Sequence, residues 1–335
     1  MNIIIDAFGG DNAPLEVIKG AIDAQKDFKI DITLVGDEAT IKKCAEDNGL
    51  DISALKIKHA DTVIDVCEEP TQVIKGKKDC SMAVGMKMLA DGEGDAFVSA
   101  GSTGALVVGA TFIVKRLKGI KRPALATVLP TAEEPTMLLD CGANSECRPE
   151  MLVQFGIMGS AYMNKIMGVE SPRVALANIG AEPTKGRELE IETYKQMQNA
   201  PVNFIGNVEA RQVPLGDCDV VVADGFSGNL MLKLFEGVGK FFSKELKNLL
   251  MKDFKSKIAA LLILNNVKAF KKKVDYSEYG GAPLLGTAKP VIKAHGSSNA
   301  KAFYNAIRQA KLFTETKVID EISSALDTMK NSVNA

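Results

Sequence analysis

The sequence predicts an α/β fold: a doubly wound, mixed and largely parallel sheet with helices on both faces. Three observations carry this. Short β-branched apolar runs alternate with longer segments of helical period. Those runs are continuously apolar, as strands covered on both faces are. Gly-rich polar loops stand where strand runs give way to helical ones, the punctuation of a doubly wound chain.

Taken in order, strands are expected at 3–6, 32–35, 96–99, 124–129, 137–139, 174–179, 202–205 and 220–223. Helices are expected at 14–27, 39–48, 81–90, 104–117, 149–167, 187–198, 229–251 and 298–330. No internal repeat or low-complexity linker interrupts them, so residues 1–335 are read as one α/β unit with room for two lobes. The 335 residues, 46% hydrophobic and 25% charged, supply an ordinary globular core.

The formal net charge is −1, so no global field favours nucleic acid, and none is expected as a partner. No run approaches the roughly 20 apolar residues that span a bilayer. The chain opens directly on a strand run, Ile3-Ile4-Ile5-Asp6, without a secretory leader pattern. The six cysteines form no Cys-x-x-Cys pair, which fits reduced thiols and a cytoplasmic location. Only two histidines occur, neither beside a cysteine cluster, so no metal is expected.

In such a sheet ligands bind beyond the carboxyl ends of strands. The first loop there is Asp6-Ala7-Phe8-Gly9-Gly10-Asp11-Asn12-Ala13-Pro14, with Pro14 suited to a first helical position. The second, Ser99-Ala100-Gly101-Ser102-Thr103-Gly104-Ala105, lets backbone N–H groups and hydroxyls converge on an anion; the alternative is tight helix–strand packing. The third is Asp140-Cys141-Gly142-Ala143-Asn144. The fourth runs from Asn178 through Glu182 to Lys185 and Gly186, placing a lysine just before a helix, where a solvated loop lysine is the plainer reading. The fifth, Asp224-Gly225-Phe226-Ser227-Gly228-Asn229, lacks Gly-x-Ser-x-Gly spacing, so Ser227 is a poor hydrolase nucleophile. The sixth runs from Tyr279-Gly280-Gly281-Ala282-Pro283 to His295-Gly296-Ser297-Ser298-Asn299, where small polar residues bracket His295. Neither a P-loop nor a strict Gly-x-Gly-x-x-Gly is present, so these loops point to a small anion, with no cofactor.

Together with Gly206-Asn207-Val208-Glu209-Ala210-Arg211, these stretches occur in an order that closely resembles the PlsX family, the acyl-carrier-protein:phosphate acyltransferases of phospholipid synthesis. The match runs from Ile3 to about Ile322. Phe8, Ser102 and Gln212 depart from the family's usual Met, Asn and Asp. The resemblance implies a fold like the isocitrate and isopropylmalate dehydrogenases, a homodimer, and loose association with the membrane. It further implies transfer of a long-chain acyl group from acyl carrier protein to inorganic phosphate, and delivery of the acyl phosphate to a membrane glycerol-3-phosphate acyltransferase.

The reaction so implied is attack by a phosphate oxygen on a thioester carbonyl. Phosphate is already ionised and the leaving thiol is acidic, so positioning and oxyanion stabilisation matter more than a strong base. Phosphate is then expected at Gly101, Ser102, Thr103, Gly104, Ser227 and Gly228, with Asn144, Asn178 and Glu182 nearby. Lys185 would offset charge, Asn229 or backbone N–H groups would serve the oxyanion, Asp224 and Asn178 would orient neighbours and His295 would shuttle a proton. A rival path passes the acyl group through Cys141 or Cys147.

Residues 251–273 carry seven lysines against one aspartate, interleaved with apolar side chains. They are expected to form two short helices that break near Asn265-Asn266 and protrude as a basic-apolar tip. Leu261, Leu262, Ile263, Leu264, Lys268 and Lys271 would there meet anionic lipid or an acidic carrier; packing at a dimer seam is the alternative. Competing functions are a phosphate acetyl- or butyryltransferase acting on acyl-CoA, and a non-enzymatic carrier-binding scaffold.

Overall fold

A computed structural model describes residues 1–273 and 280–333. Eleven strands form one sheet: β1 (Asn2–Asp6), β2 (Asp31–Gly36), β3 (Lys56–His59), β4 (Ala96–Ser99), β5 (Ala124–Leu129), β6 (Thr136–Leu139), β7 (Arg173–Asn178), β8 (Asn203–Glu209), β9 (Val220–Val222), β10 (Ala282–Leu285) and β11 (Val291–Lys293). Eleven α-helices flank it: α1 (Leu15–Phe28), α2 (Glu38–Asp47), α3 (Ser81–Asp91), α4 (Thr103–Gly109), α5 (Pro149–Lys165), α6 (Glu188–Met197), α7 (Gly225–Met251), α8 (Phe254–Leu262), α9 (Leu264–Lys273), α10 (Ala300–Glu315) and α11 (Val318–Val333).

The strand order is β3-β2-β1-β4-β11-β10-β5-β6-β9-β7-β8. The first five are parallel to one another, as are the last four. Antiparallel pairings of β10 with β11, of β10 with β5 and of β5 with β6 join the two halves. The mixed, largely parallel sheet expected from the sequence is therefore observed. Its central strands are apolar on both faces, and Ile3, Ile4, Ile5 and Val220, Val221, Val222 are fully buried.

Three strands escaped the sequence reading. β3 is an exposed edge, Lys56-Ile57-Lys58-His59, whose charges discourage a further strand from pairing there. β10 and β11 are four and three residues long and are flanked or interrupted by Gly280, Gly281, Pro283, Gly286 and Pro290, residues that read as turn punctuation. The helix expected over 298–330 is two, because Lys317 takes a left-handed φ of 53° between α10 and α11. α7 starts at Gly225, four residues before its expected start, since Asp224 caps it: the carboxylate accepts from Ser227 N–H at 2.6 Å. α4 is continued by a wide π-helical turn, Ala110–Lys115. The break between α8 and α9 falls at Ile263, and Asn265 and Asn266 lie in the first turn of α9.

Candidate active site

Two groups of loops draw together, one in each half of the sheet. In the first half, Asp6 ends β1 fully buried, and its carboxylate accepts from the Ser81 and Ser99 hydroxyls, each at 2.7 Å, and from Phe8 N–H at 3.2 Å. Burial raises its pKa above the usual carboxylate range, against the pull of those donors. Ser99 Oγ in turn accepts from Gly101 N–H at 3.0 Å, so Asp6 fixes the turn that opens α4. Ser102 caps that helix through Ala105 N–H at 3.5 Å, and Thr103 and Gly104 form its first residues.

The opposite wall is the loop after β11. Lys293, only 8% exposed, donates from Nζ to the carbonyls of Ala100 (3.2 Å) and Ala294. Burial pulls its pKa down to about 8, although Asp6 and Asp11 face it. Asp11 N–H bonds to Gly296 O at 2.8 Å, and Asn12 Nδ2 to the carbonyls of Ser297 and Ser298. A Cβ on Gly10, which has φ of 103°, would sit 2.9 Å from Gly296 O, so glycine is what permits this closure. His295 Nδ1 accepts from Ser297 N–H at 3.2 Å, which leaves Nε2 as the N–H donor of a neutral ring. Desolvation lowers its pKa; among charged neighbours on α7, Glu236 opposes that shift while Lys233 and Lys240 add to it. The first, second and sixth loops are thus hydrogen-bonded into one unit; Tyr279 lies outside the described residues.

In the second half, Asp140 follows β6 fully buried. It accepts from the N–H groups of Leu125, Gly142, Ala143 and Asn144 and from Asn144 Nδ2, all within 3.1 Å. Burial nonetheless holds its pKa above the ordinary range. Asn144 also donates to Pro123 O at 2.8 Å, and its carbonyl receives Gly225 N–H at 2.7 Å. A Cβ on Gly228 would lie 1.9 Å from the Asp140 carbonyl oxygen, so only glycine lets α7 start against this loop. Asn229, one residue on, is exposed and borders Gly142.

The fourth loop closes on itself. Asn178 Nδ2 donates to Lys185 O at 3.0 Å, and Asn207 Nδ2 donates to Glu182 O at 2.9 Å. Lys185 is exposed and, among the described residues, pairs with no carboxylate. Arg187 ties this loop to the fifth by reaching Glu190 and, at 2.5 Å, Asp224. Burial would raise the pKa of Asp224, but Ser227 N–H and the Arg187 guanidinium outweigh it and hold the carboxyl below its usual range.

Several expected donors are already committed. Ser227 N–H and Gly228 N–H bond to the Asp224 carboxylate and carbonyl, so the cap occupies the place an anion would take. The amide of Asn144 braces Asp140 and Pro123. Asn178 likewise spends its amide on its own loop. Among the described residues no hydrogen bond or ion pair joins Gly101 or His295 directly to Lys185 or Asn229. The link between the halves is α7: it is capped by Asp224 and carries Lys233 and Glu236, which are 3.1 Å apart and act electrostatically on His295 and on Cys141.

Sequence reasoning gave Asp6, Asp140, Arg187 and Lys293 no roles. Each ends or follows a strand or opens a helix, and a charged residue closing an apolar run was the available signal. The departures noted above have local partners. The Phe8 ring lies where a Cβ on Gly36 would be, and Gln212 binds Glu209 N–H and Asp217, both at 2.9 Å.

With anion-friendly loops at strand ends and α7 linking the loops of the two half-sheets, the class defined is an α/β group transferase. Comparisons agree. A family model described as "Fatty acid synthesis protein" matches residues 1–321. The phosphate acyltransferase of Thermoanaerobacterium thermosaccharolyticum is 48% identical over 335 residues, covering 100% of this chain and 99% of that protein. That of Clostridioides difficile is 44% identical over 324 residues, with 96% and 95% covered. The EutD phosphotransacetylase from Staphylococcus aureus (TM-score 0.62) and a phosphotransacetylase from Streptococcus pyogenes (0.64) are each 18% identical, with 96% of this chain and 94% of theirs covered; they speak for the fold. The chain belongs to this fatty acid synthesis protein family, PlsX, and is a phosphate acyltransferase.

Proposed function

We propose that the acyl donor is a long-chain thioester of acyl carrier protein and that orthophosphate is its acceptor, held in the crevice beside α7. One observation above all supports this reading: among the described residues Lys185 is a cation without an acidic partner, on a loop that Arg187 pins to Asp224 at the head of α7. In this scheme the turn at Gly101, Ser102, Thr103 and Gly104 presents the first N–H groups of α4 to phosphate. Lys185 offsets the dianion, and the Asn229 amide faces the developing oxyanion. Neutral His295 donates its Nε2–H as a hydrogen bond to the departing sulfur, which leaves as a thiolate and takes its proton from solvent. Asp224 and Asn178 fix the loops that carry Lys185 and Asn229.

The chain acts as a homodimer in this reading, covering the exposed α7 stripe of Phe226, Leu230, Leu234, Val238 and Phe241. It also rests on anionic membrane through the tip between α8 and α9. There Leu261, Leu262, Ile263 and Leu264 are exposed, as is Lys268; the Lys271 side chain is outside the described residues. Among the described residues no helix is long and apolar enough to cross a membrane. Acyl phosphate formed in the cytoplasm would pass there to a glycerol-3-phosphate acyltransferase.

Purified protein incubated with palmitoyl-acyl carrier protein and phosphate, with hydroxylamine as trap, should yield palmitoyl hydroxamate. Lys185→Ala should lower that yield by about 100-fold or more without unfolding the chain, the range for losing one electrostatic stabiliser. A yield only from acyl-CoA would replace carrier specificity with coenzyme A specificity; an unaltered rate in the variant would remove Lys185 from the site.

A further inference from the structure

Outside the two loop groups, one surface gathers cations without pairing them. The π-helical turn Ala110–Lys115 runs into a tight turn at 116–122. Two adjoining clefts, of about 400 and 390 Å³, share Thr111, Phe112 and Arg116 in their walls. Lys118 lines one cleft, and Lys121, Arg122 and Arg148 line the other. Among the described residues none of Lys115, Arg116, Lys118, Lys121, Arg122 or Arg148 lies within 4.0 Å of a carboxylate. Glu150 is the one acid in the lining. The positive end of the 17-residue α5 opens at Arg148 and adds to the field.

The turn is held in place by its backbone. Leu117 N–H bonds to Gly286 O at 2.9 Å, Lys121 N–H bonds to Gln154 Oε1 at 2.8 Å, and Gln154 Nε2 bonds to Gly119 O at 2.9 Å. Arg116 reaches back to the carbonyls of Ile120 and Lys121. The cations of Lys121 and Arg122 are therefore presented on a rigid frame with little ordering left to lose on binding. Phe112, shared by both clefts, is 61% exposed.

The surface is continuous with the site. Arg122 precedes Pro123, whose carbonyl receives Asn144 Nδ2 at 2.8 Å, and Arg148 follows Asn144 by four residues on the same loop. We infer that this basic cleft docks the acidic face of the protein that carries the thioester, so that its arm enters the crevice past the Asp140–Asn144 loop. This rests on the reading that the acyl donor is a protein-bound thioester. Concave, arginine-bearing walls with one exposed aromatic suit carboxylates on a folded partner, since guanidinium forks bind carboxylate in two-point fashion. A flat lipid surface suits the convex tip at Leu261–Leu264, where lysines surround leucines.

The test compares wild type with Lys121→Glu/Arg122→Glu, using palmitoyl-acyl carrier protein, unacylated carrier protein followed by fluorescence anisotropy, and phosphatidylglycerol vesicles. The expected result is a KM for the acylated carrier raised about tenfold or more with kcat within about twofold, a matching loss in the anisotropy titration, and a weaker salt dependence. An unchanged KM, or a loss confined to kcat, overturns the proposal. Lost vesicle binding with the carrier KM intact assigns the cleft to lipid and overturns it equally. If wild type forms no acyl phosphate, the catalytic reading fails, and the anisotropy titration still decides the docking surface.

Discussion

Cys141 and Cys147 stand in the loop that braces the head of α7, where a covalent route would need a thiolate. Burial, reinforced by the Asp140 charge, drives the Cys141 thiol well above its ordinary pKa and that of Cys147 up to about 12. Neither is therefore a competent nucleophile near neutral pH. A Cys141→Ser/Cys147→Ser variant should form acyl phosphate at the wild-type rate, and loss of activity in a folded variant would revive the acyl-cysteine route. Lys293 gives a second prediction. Its folded pKa is about 8, below the ordinary 10.5 of the unfolded chain, so between those values the unfolded state binds more protons. Stability should then rise with pH from about 8 toward 10.5, and be insensitive to this group below 8. Urea unfolding of wild type and Lys293→Met should show a stability difference that shifts toward wild type across that window. A difference independent of pH would mean Lys293 titrates normally.

Elements turn these residues into surfaces. α7 is 27 residues long, roughly 40 Å at 1.5 Å per residue, so it runs from its cap against the Asp140 loop to a lysine–glutamate pair whose charges reach His295. α8 and α9 split at Ile263, which brings Leu261 and Leu262 (71% and 81% exposed) to the bend between two short helices. Leaving such groups in water costs about 1.5–3 kcal/mol per side chain relative to burial, so a covering surface is favoured. In flotation with anionic liposomes, Leu261→Glu/Leu262→Glu should leave the vesicle fraction while retaining activity on soluble substrate. Flotation equal to wild type would discard insertion of this tip.

The whole molecule is two parallel half-sheets joined by antiparallel strands, and the α7 stripe of Phe226, Leu230, Leu234, Val238 and Phe241 is left exposed. A homodimer that buries this stripe predicts a mass twice that of the 35.8 kDa chain by light scattering. Leu234→Glu/Phe241→Glu should shift that mass to a monomer, since charges at the centre of an apolar seam are expensive to bury. A dimer that persists unchanged would place the interface elsewhere.

How much of this the sequence held depends on the range of the interaction. Eight of the eleven strands and the loops that follow them were legible, because continuous apolar runs and Gly-rich turns are local signals. β10 and β11 were not, and with them went Lys293, whose significance rests on burial against Ala100, far away in the chain. Asp6 and Asp140 were quoted within their loops without a role, since only packing reveals which serines and amides they organise. Ser227 and Gly228 looked like free donors until the Asp224 cap was seen to engage them. By itself the sequence determined the α/β class, the order of the anion-friendly turns and the family, all of which are written in runs of adjacent residues. Tertiary structure alone decided which turns share hydrogen bonds, which lysines are buried or left without a counter-charge, and which thiols are silenced. Those properties depend on desolvation and on partners brought together from distant positions.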